Sequence, residues 1–458
     1  MAQAVTQIRV AFAGRDPRNA WHDRVVAAAG AVNGVAVLDA LDDADVIVAL
    51  DASDGGSKRT PPFGVWRFGF GSGAAVANGA VGTLARLYRE SGDPARAVVL
   101  HEGWYRGRTA EGWGTPSVPL RVAPWVARAL TQVLLGDRRI VEAPLQSTAG
   151  CRDLNPPPIP DSIGIRAANA ARDLLTRQRW TVGVVAMPLE ALLQRESMPE
   201  PSWLTNQPGD RFYADPFVVA ADRERIELLV EQYRYRSREK TIVGLDVSEG
   251  GVILRSESQH GIPPHASYPF LLRDGAEMFC IPETFRARRA AAMRRSANNE
   301  WTHACDLVSD FPAVDSTIVS RHGRWWLFCT KQGDEDQTEL HLFHAADWRG
   351  PWQPHPLNPV KSDTRSSRPA GACFELDRAL YRPAQNCARR YGAGITINRV
   401  VDLTTTSFRE EAVWSYVPRP DSAWPDGMHT INSCGAVTVV DGLRIERRLG
   451  PANWSGGH

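Results

Sequence analysis

Five short segments, YADPFVV, ASYPFLL, AVDSTIV, SSRPAGA and GMHTINS, recur along the second half of the chain. Each carries one charged or aromatic marker: Asp215, Tyr268, Asp315, Arg368 and His429, spaced by 53, 47, 53 and 61 residues. After each opening comes a second β-like run, as in RIELLVEQY, EMFCIPET, RWWLFCTK and ALYRPAQNC, and then a third, as in ELHLFHA and AGITINRV. A unit of about 50 residues holding three or four strands is the signature of a propeller blade, so five openings predict an all-β five-bladed propeller. RWTVGVV precedes the first opening and is expected to join the last blade, whose own strands AVTVVDG and LRIERR are few. Both ends of this half would then close the ring. An Arg/Ala stretch around residue 290 is the one segment here with helical character.

The first half reads as α/β and Rossmann-like. IRVAFAG and ADVIVALD are short apolar strands with a helical Ala/Val pattern between them, from about Ala20 to Ala29, which makes a parallel pair if that helix is a crossover. GVWRFGFG and RAVVLHEGWY read as further strands, and VAPWVARALTQVLLGD as an amphipathic helix closed near Gly136. The proline-rich connection STAGCRDLNPPPIPDS can continue neither a helix nor a central strand, and IRAANAARDLLTRQ reads as a bridging helix after it. The expected domains are therefore residues 1–178 and 179–458.

Composition excludes several classes. With 53 Lys and Arg against 52 Asp and Glu, the net charge of +1 gives no reason to expect nucleic acid or an anionic membrane as a partner. Cys151, Cys280, Cys305, Cys329, Cys373, Cys387 and Cys434 are odd in number and lack any CxxC, against a disulfide framework or a structural zinc site. No segment reaches the roughly 18 apolar residues of a membrane span, and the N-terminus lacks a signal-peptide pattern. The expectation is a cytoplasmic protein without cofactor or metal; the sequence leaves its oligomeric state open.

In a propeller the innermost strands line the axis, so markers at equivalent places in the openings converge on one funnel. Asp215 and Asp315, on blades one and three, would face each other there. A lone Asp-Pro is more simply a turn, but the opening segment that carries it recurs five times. Paired carboxylates suit glycosyl transfer, in which one ionised group activates a nucleophile and a protonated one helps the leaving oxygen depart. Glu231 and Glu283, at the ends of second strands, are candidates for that acid, or else solvated strand ends paired with arginine. Arg368 can hold a phosphate or carboxylate bidentately. With Arg382, Gln385, Lys331, His265, His429 and Tyr268 it forms the expected binding wall, which suits an anionic derivative such as a sugar phosphate, nucleotide sugar or uronic acid. Trp325 and Trp326 are adjacent on one strand, so at most one can stack on a sugar there.

ADPF in blade one and VDST in blade three resemble the five-bladed propellers of family 43 glycoside hydrolases and their relatives. The resemblance implies Asp215 as base and Asp315 as the group that orients and tunes the acid. Where those enzymes carry a catalytic Glu in blade four, this chain has Arg368, which cannot donate a proton at neutral pH. As a set, RFYADPFVV, HASYPFLL, IPET, GPWQPHPLNPV, SRPAG, RPAQNC, YG and HTIN resemble the N-terminal domain of plant glucosamine inositolphosphorylceramide transferase and bacterial proteins similar to it. That resemblance implies a carbohydrate-related role. In the plant proteins a separate glycosyltransferase domain accompanies the propeller, and none is evident here.

The first half, through PPFGVWRFGFGSG, VVLHEGWYRG and VAPWVARALTQVLL, resembles formyltransferase domains, without their Asn-x-His motif, and is expected to be an inactive scaffold. GFGSGAAVANG matches no phosphate-binding glycine pattern, and His101 and Glu102 face opposite ways on one strand. The sequence thus predicts an enzyme of glycosyl transfer or cleavage. A non-catalytic glycan-binding or scaffolding propeller and an amino-sugar formyltransferase are the alternatives.

Overall fold

The computed structural model describes residues 5–51, 60–72, 82–91, 93, 95–106, 117–137, 139–147, 175–195, 197–222 and 224–447. The proline-rich connection, nearly all of the expected bridging helix, Cys151 and most of GFGSGAAVANG lie outside them. The chain divides into two compact units, one of Met1–Pro160 with His355–Thr364 and Asp402–Phe408, the other of Asp161–Pro354, Arg365–Val401 and Arg409–His458.

The first unit is built on strands β1 (Ile8–Ala13), β2 (Val35–Leu38), β3 (Val46–Ala49), β4 (Val65–Ser72), β5 (Gly82–Glu90), β6 (Arg96–Arg106) and β7 (Gln146–Ser147), in sheet order β2-β1-β3-β4-β5-β6-β7. β1 pairs β2 and β3 in parallel, and β3 pairs β4 in parallel. The rest of the sheet is antiparallel, so it is mixed. Helix α1 (Ala20–Gly30) is the expected crossover, started by Asn19, whose side chain accepts the Trp21 N–H. All four residues of β3 are buried, which explains its unbroken apolar run. The helical segment expected before Gly136 forms as α2 (Val118–Val122) and α3 (Pro124–Leu134). Trp125 and Leu130 of α3 join Val10, Val48 and Phe68 in one core, each contributing about 1.5–3 kcal/mol by leaving water.

The second unit is a five-bladed β-propeller. Strands β8 (Thr176–Val185) and β9 (Ser202–Trp203) precede blade one, which comprises β10 (Arg211–Ala221), β11 (Ile226–Arg234), β12 (Glu239–Val247) and β13 (Ile253–Ser258). Blade two is β14 (Ser267–Asp274), β15 (Glu277–Glu283), β16 (Arg289–Arg295) and β17 (Trp301–Ser309). Blade three follows with β18 (Ala313–Arg321), β19 (Arg324–Lys331), β20 (Glu339–Ala345) and β21 (Gln353–Pro354). The two-residue β22 (Lys361–Ser362) lies in the segment that belongs to the first unit. Blade four is β23 (Phe374–Leu376), β24 (Ala379–Asn386), β25 (Gly394–Leu403) and β26 (Phe408–Tyr416). Blade five takes β27 (Ile431–Cys434) and β28 (Val437–Arg447) from the end of the chain and adds β8 and β9, in order β27-β28-β8-β9. The expected closure by both ends is thus made through the long pairing of β28 with β8, from Thr438↔Val185 to Arg447↔Thr176.

Two local expectations are corrected. The Arg/Ala stretch near 290 is strand β16: Ala290 to Met293 are buried between β15 and β17, and this packing overrides the helix propensity of alanine. The Asp-Gly read as a break between AVTVVDG and LRIERR lies inside the single strand β28. Gly442 is required there by contact, because a Cβ would come within 2.7 Å of the Trp203 ring.

Candidate functional site

Asp215, Tyr268 and Asp315 share one backbone conformation. Their φ angles are 50°, 44° and 53°, in the left-handed region that non-glycine residues rarely enter. Each sits in a break of register between the first two strands of its blade: between Ala214 and Phe217, between Ser267 and Phe270, and between Val314 and Thr317. The recurring sequence motif is therefore a recurring β-bulge, which turns the marker side chain out of the ladder.

Each bulge gives its freed N–H to a carboxylate of the preceding blade. Asp215 N–H donates to Asp441 Oδ2 at 3.2 Å, Tyr268 N–H to Asp215 Oδ2 at 3.2 Å, and Asp315 N–H to Glu283 Oε2 at 3.3 Å. Such charge-assisted bonds offset a strain of order 1–3 kcal/mol per residue. The remaining oxygens are also used: Thr430 Oγ1 donates to Asp215 Oδ1 at 2.7 Å, and Ser267 Oγ to Glu283 Oε1 at 3.1 Å. Tyr268 is fully buried, and its hydroxyl lies 2.8 Å from Thr317 Oγ1 while accepting the Gly371 N–H at 2.8 Å. It joins blades two, three and four.

The second strands supply another set of buried polar residues: Glu231, Glu283, Thr330, Gln385 and Asp441. Ala214 is the register partner of Glu231, Ser267 of Glu283 and Val314 of Thr330, so these three stand at equivalent places beside their bulges. Glu231 Oε2 accepts from Lys240 Nζ at 3.3 Å.

Arg368 does enter the cluster, but its guanidinium is already engaged by acids. Nε donates to Asp315 Oδ2 at 2.6 Å, Nη1 is 3.5 Å from Asp336 and Nη2 is 4.0 Å from Glu283. Gln385 Nε2 adds a bond to Asp315 Oδ2 at 3.0 Å. The anion clamp expected of Arg368 is thereby an internal clamp on Asp315. Arg382 is fully buried and donates twice to Glu410, at 2.8 and 2.6 Å, and to the carbonyls of Ser366 and Ser367. It holds blade four together and is not available as a ligand contact. Lys331, at the exposed end of β19, has its Nζ 5.9 Å above the Phe311 ring, and His265 is exposed, with its backbone bonded to the Lys240 carbonyl. Neither side chain joins the cluster.

His429 is clasped from four sides. Trp180 stacks on its ring at 4.1 Å and 18°, and Tyr391 meets it edge-on at 5.4 Å. Its Nδ1 is bonded to Asp441 Oδ2, and its Nε2 lies 3.8 Å from Asp215 Oδ1. Gly392 permits this packing: its φ is +59°, and a Cβ there would lie 2.9 Å from Trp180 and 3.0 Å from His429. The half-buried Tyr391 ring also carries the Arg368 guanidinium 5.0 Å from its centroid.

Donor atoms of Asp215, His429 and Asp441 fall within 4.8 Å of one another, a spacing a cation could bridge. The Asp441 oxygens are instead taken by the N–H groups of His429, Thr430 and Asp215 and by the imidazole. The arrangement is a hydrogen-bonded carboxylate–histidine pair beside a second carboxylate.

Burial dominates the electrostatics. It raises Asp215, opposed by His429, and raises Asp315 well above the usual carboxylate range, opposed by Arg368. Burial also lifts Glu231 to about 7, against the pull of Lys240 and with the push of Asp215. For His429 burial acts downward, but the charges of Asp441 and Asp215 outweigh it and bring the imidazole up to about 9.

Sequence reasoning missed Asp441, Lys240, Thr430, Trp180 and Tyr391. Asp441 was hidden in an Asp-Gly pair that mimics a turn. Lys240 opens a third strand and follows no repeat, while Thr430 directly follows a marker and was within reach of the repeat argument.

Residues 210–427 match the family model described as glucosamine inositolphosphorylceramide transferase 1, N-terminal. A curated relative, glucosamine inositolphosphorylceramide transferase 1 of Oryza sativa subsp. japonica, is 32% identical over 197 residues, 40% of this chain and 26% of the relative. Its Arabidopsis thaliana counterpart is 29% identical over 155 residues, 32% of this chain and 20% of that protein. The chain thus spans about a quarter of the length of the curated relatives it matches. Among solved structures, a family 117 glycoside hydrolase from Zobellia galactanivorans is similar with a TM-score of 0.37 at 12% identity, covering 60% of this chain and 91% of that one. A family 43 β-1,3-galactosidase has a TM-score of 0.35 at 11% identity, covering 45% and 79%.

Proposed function

We propose that the propeller is a carbohydrate-active module whose axial cluster acts at the anomeric carbon of a sugar, in glycosyl transfer or cleavage. Asp215 takes the proton of the attacking hydroxyl or water, and Asp315, fixed by Arg368 and Gln385, tunes the field around it. The observation that carries this reading is the strained left-handed backbone of Asp215, Tyr268 and Asp315, repeated in three blades around buried carboxylates. Strain held in place by surrounding bonds is characteristic of sites that must aim particular groups. The names of the plant relatives, which couple glucosamine to a transferase, support sugar transfer as the reaction class for the matched stretch.

The substrate we propose is a neutral sugar in place of an anionic derivative. Asp215, Glu231, Glu283, Asp315, Asp336 and Asp441 outnumber the bases Arg368, Lys240 and His429, and Arg368 is paired within the protein. An incoming phosphate or carboxylate would meet an excess of like charge.

A second reading, a non-catalytic glycan-binding propeller, is favoured by the structural duties of the acids, since Asp215, Glu283 and Asp441 each latch one blade to the next. The deciding experiment is binding of free hexoses and turnover of aryl glycosides by wild type and Asp215→Asn. Turnover by wild type that falls at least about a hundredfold in the variant supports the enzyme. Binding without turnover, unchanged by the substitution, establishes the recognition module.

A further inference from the structure

Among the buried acids of the cluster, Glu231 stands apart. Asp215, Glu283 and Asp441 each accept a backbone N–H together with a side-chain donor, so both jobs of their oxygens lie within the protein scaffold. Asp315 is bound at 2.6 Å to Arg368, whose side chain is only 9% exposed; a proton on Asp315 would leave that cation without its nearest partner. Glu231 receives no backbone N–H, and its Oε1 has no hydrogen-bond partner among the described residues. Its hydrogen-bond partner among the described residues is Lys240, at 3.3 Å, whose side chain is 42% exposed while that of Glu231 is 6% exposed. Lys240 can swing into water when Glu231 takes up a proton, and no buried charge is then left unpaired.

From this geometry we infer that Glu231 is the proton donor to the leaving oxygen, supplying the acid that Arg368 displaces from blade four. The inference rests on the carbohydrate reading above. As the glycosidic C–O bond breaks, its electron pair stays on the leaving oxygen, which takes the Glu231 proton and departs as a neutral alcohol. Glu231 is left as a carboxylate beside Lys240. The attacking water or sugar hydroxyl bonds to the anomeric carbon and passes its proton to Asp215. Lys240, Asp215, His429 and Glu283 are the charged groups that bear on Glu231, and its position near 7, set by burial, keeps a useful fraction protonated at neutral pH.

The test compares wild type, Glu231→Gln, Glu283→Gln and Lys240→Met in two assays. In the first, infrared difference spectra are recorded between about pH 5 and pH 9. A protonated-carboxyl band titrating near 7 and absent from Glu231→Gln alone supports the inference, whereas its survival in Glu231→Gln or loss in Glu283→Gln overturns it. In the second, nitrophenyl, dinitrophenyl and methyl glycosides are compared. Glu231→Gln is expected to lose about a hundredfold or more on methyl glycosides while holding within about tenfold on dinitrophenyl ones, which need little protonic help. Equal loss on all leaving groups overturns the role. Lys240→Met removes the cation that favours ionised Glu231, so the basic limb of the pH profile should move upward; an unmoved limb counts against the assignment. Failure of wild type to turn over any glycoside overturns the carbohydrate-cleavage reading itself, and with it the proton-donor role, while the infrared assay still identifies which carboxyl holds the proton.

Discussion

Oδ2 of Asp215 accepts the backbone N–H of Tyr268 at 3.2 Å, so the side chain proposed for chemistry in blade one also fixes the strained residue of blade two. Catalytic and structural duties are joined in one carboxylate, and they can be separated. Asn at 215 can still accept from Tyr268 and donate to the Thr430 hydroxyl; Ala can do neither. Asp215→Ala is expected to lose about 1–3 kcal/mol of stability in urea unfolding, and Asp215→Asn under about 1 kcal/mol. Equal losses in the two variants would refute this division.

His429 gives the fold a pH dependence of definite sign. Its folded value of about 9 lies above the ordinary 6.5, so its stabilising contribution is complete below about pH 6.5 and is lost as pH rises through 9. The amount is on the order of 3 kcal/mol. Urea midpoints of wild type measured from pH 6 to 9.5 should fall across that window, and those of His429→Gln should fall far less above about pH 7.5, where Glu231 has already ionised.

The pairing of Arg368 within the protein predicts both a large cost of removing it and an indifference to anions. Arg368→Met leaves Asp315 buried beside Glu283 and Asp336 without its counter-charge, and should lose about 3–5 kcal/mol. Inorganic phosphate at millimolar concentration should neither raise the melting temperature of wild type nor compete with a bound sugar. Protection by phosphate that disappears in Arg368→Lys would restore the anion clamp.

Gly392→Ala places a methyl group against Trp180 and His429 at a φ of +59°. A loss of about 1–3 kcal/mol is expected from the strained backbone, together with a shift of the His429 ring resonances. A variant as stable as wild type, with unchanged histidine signals, would show that the aromatic clasp tolerates more room than its contacts suggest.

The blade count was legible because each blade opens on a similar segment, and the convergence of Asp215, Tyr268 and Asp315 because a β-bulge needs the same few residue positions each time and so leaves a periodic trace; Arg368 and His429 hold the equivalent place in the repeat without a bulge. What each marker touches was not legible. Arg368 reads as an anion binder in isolation, and only the fold brings Asp315 and Asp336 against it. Arg382 was misplaced for a related reason: its partner Glu410 lies 28 residues away, on an outer strand that bears no repeat. Asp441 looked like half of a turn because local pattern cannot register that Trp203 covers the following glycine. In the first unit the parallel half of the sheet followed from apolar runs and a crossover helix, whereas its antiparallel half has no comparable local mark.

The pairing of β28 with β8 makes the order of synthesis matter. The ion pairs Arg177–Glu446 and Arg179–Glu446 join positions 269 and 267 residues apart, so strand β8 leaves the ribosome long before its neighbour exists. Through that interval the nascent chain carries an unpaired strand edge, open to adventitious partners. Asp441, which holds Asp215 and His429, arrives on the same late strand. A nascent propeller that has not closed therefore lacks the Asp441 contacts to Asp215 and His429, and this half of the site is assembled only when the last strand docks.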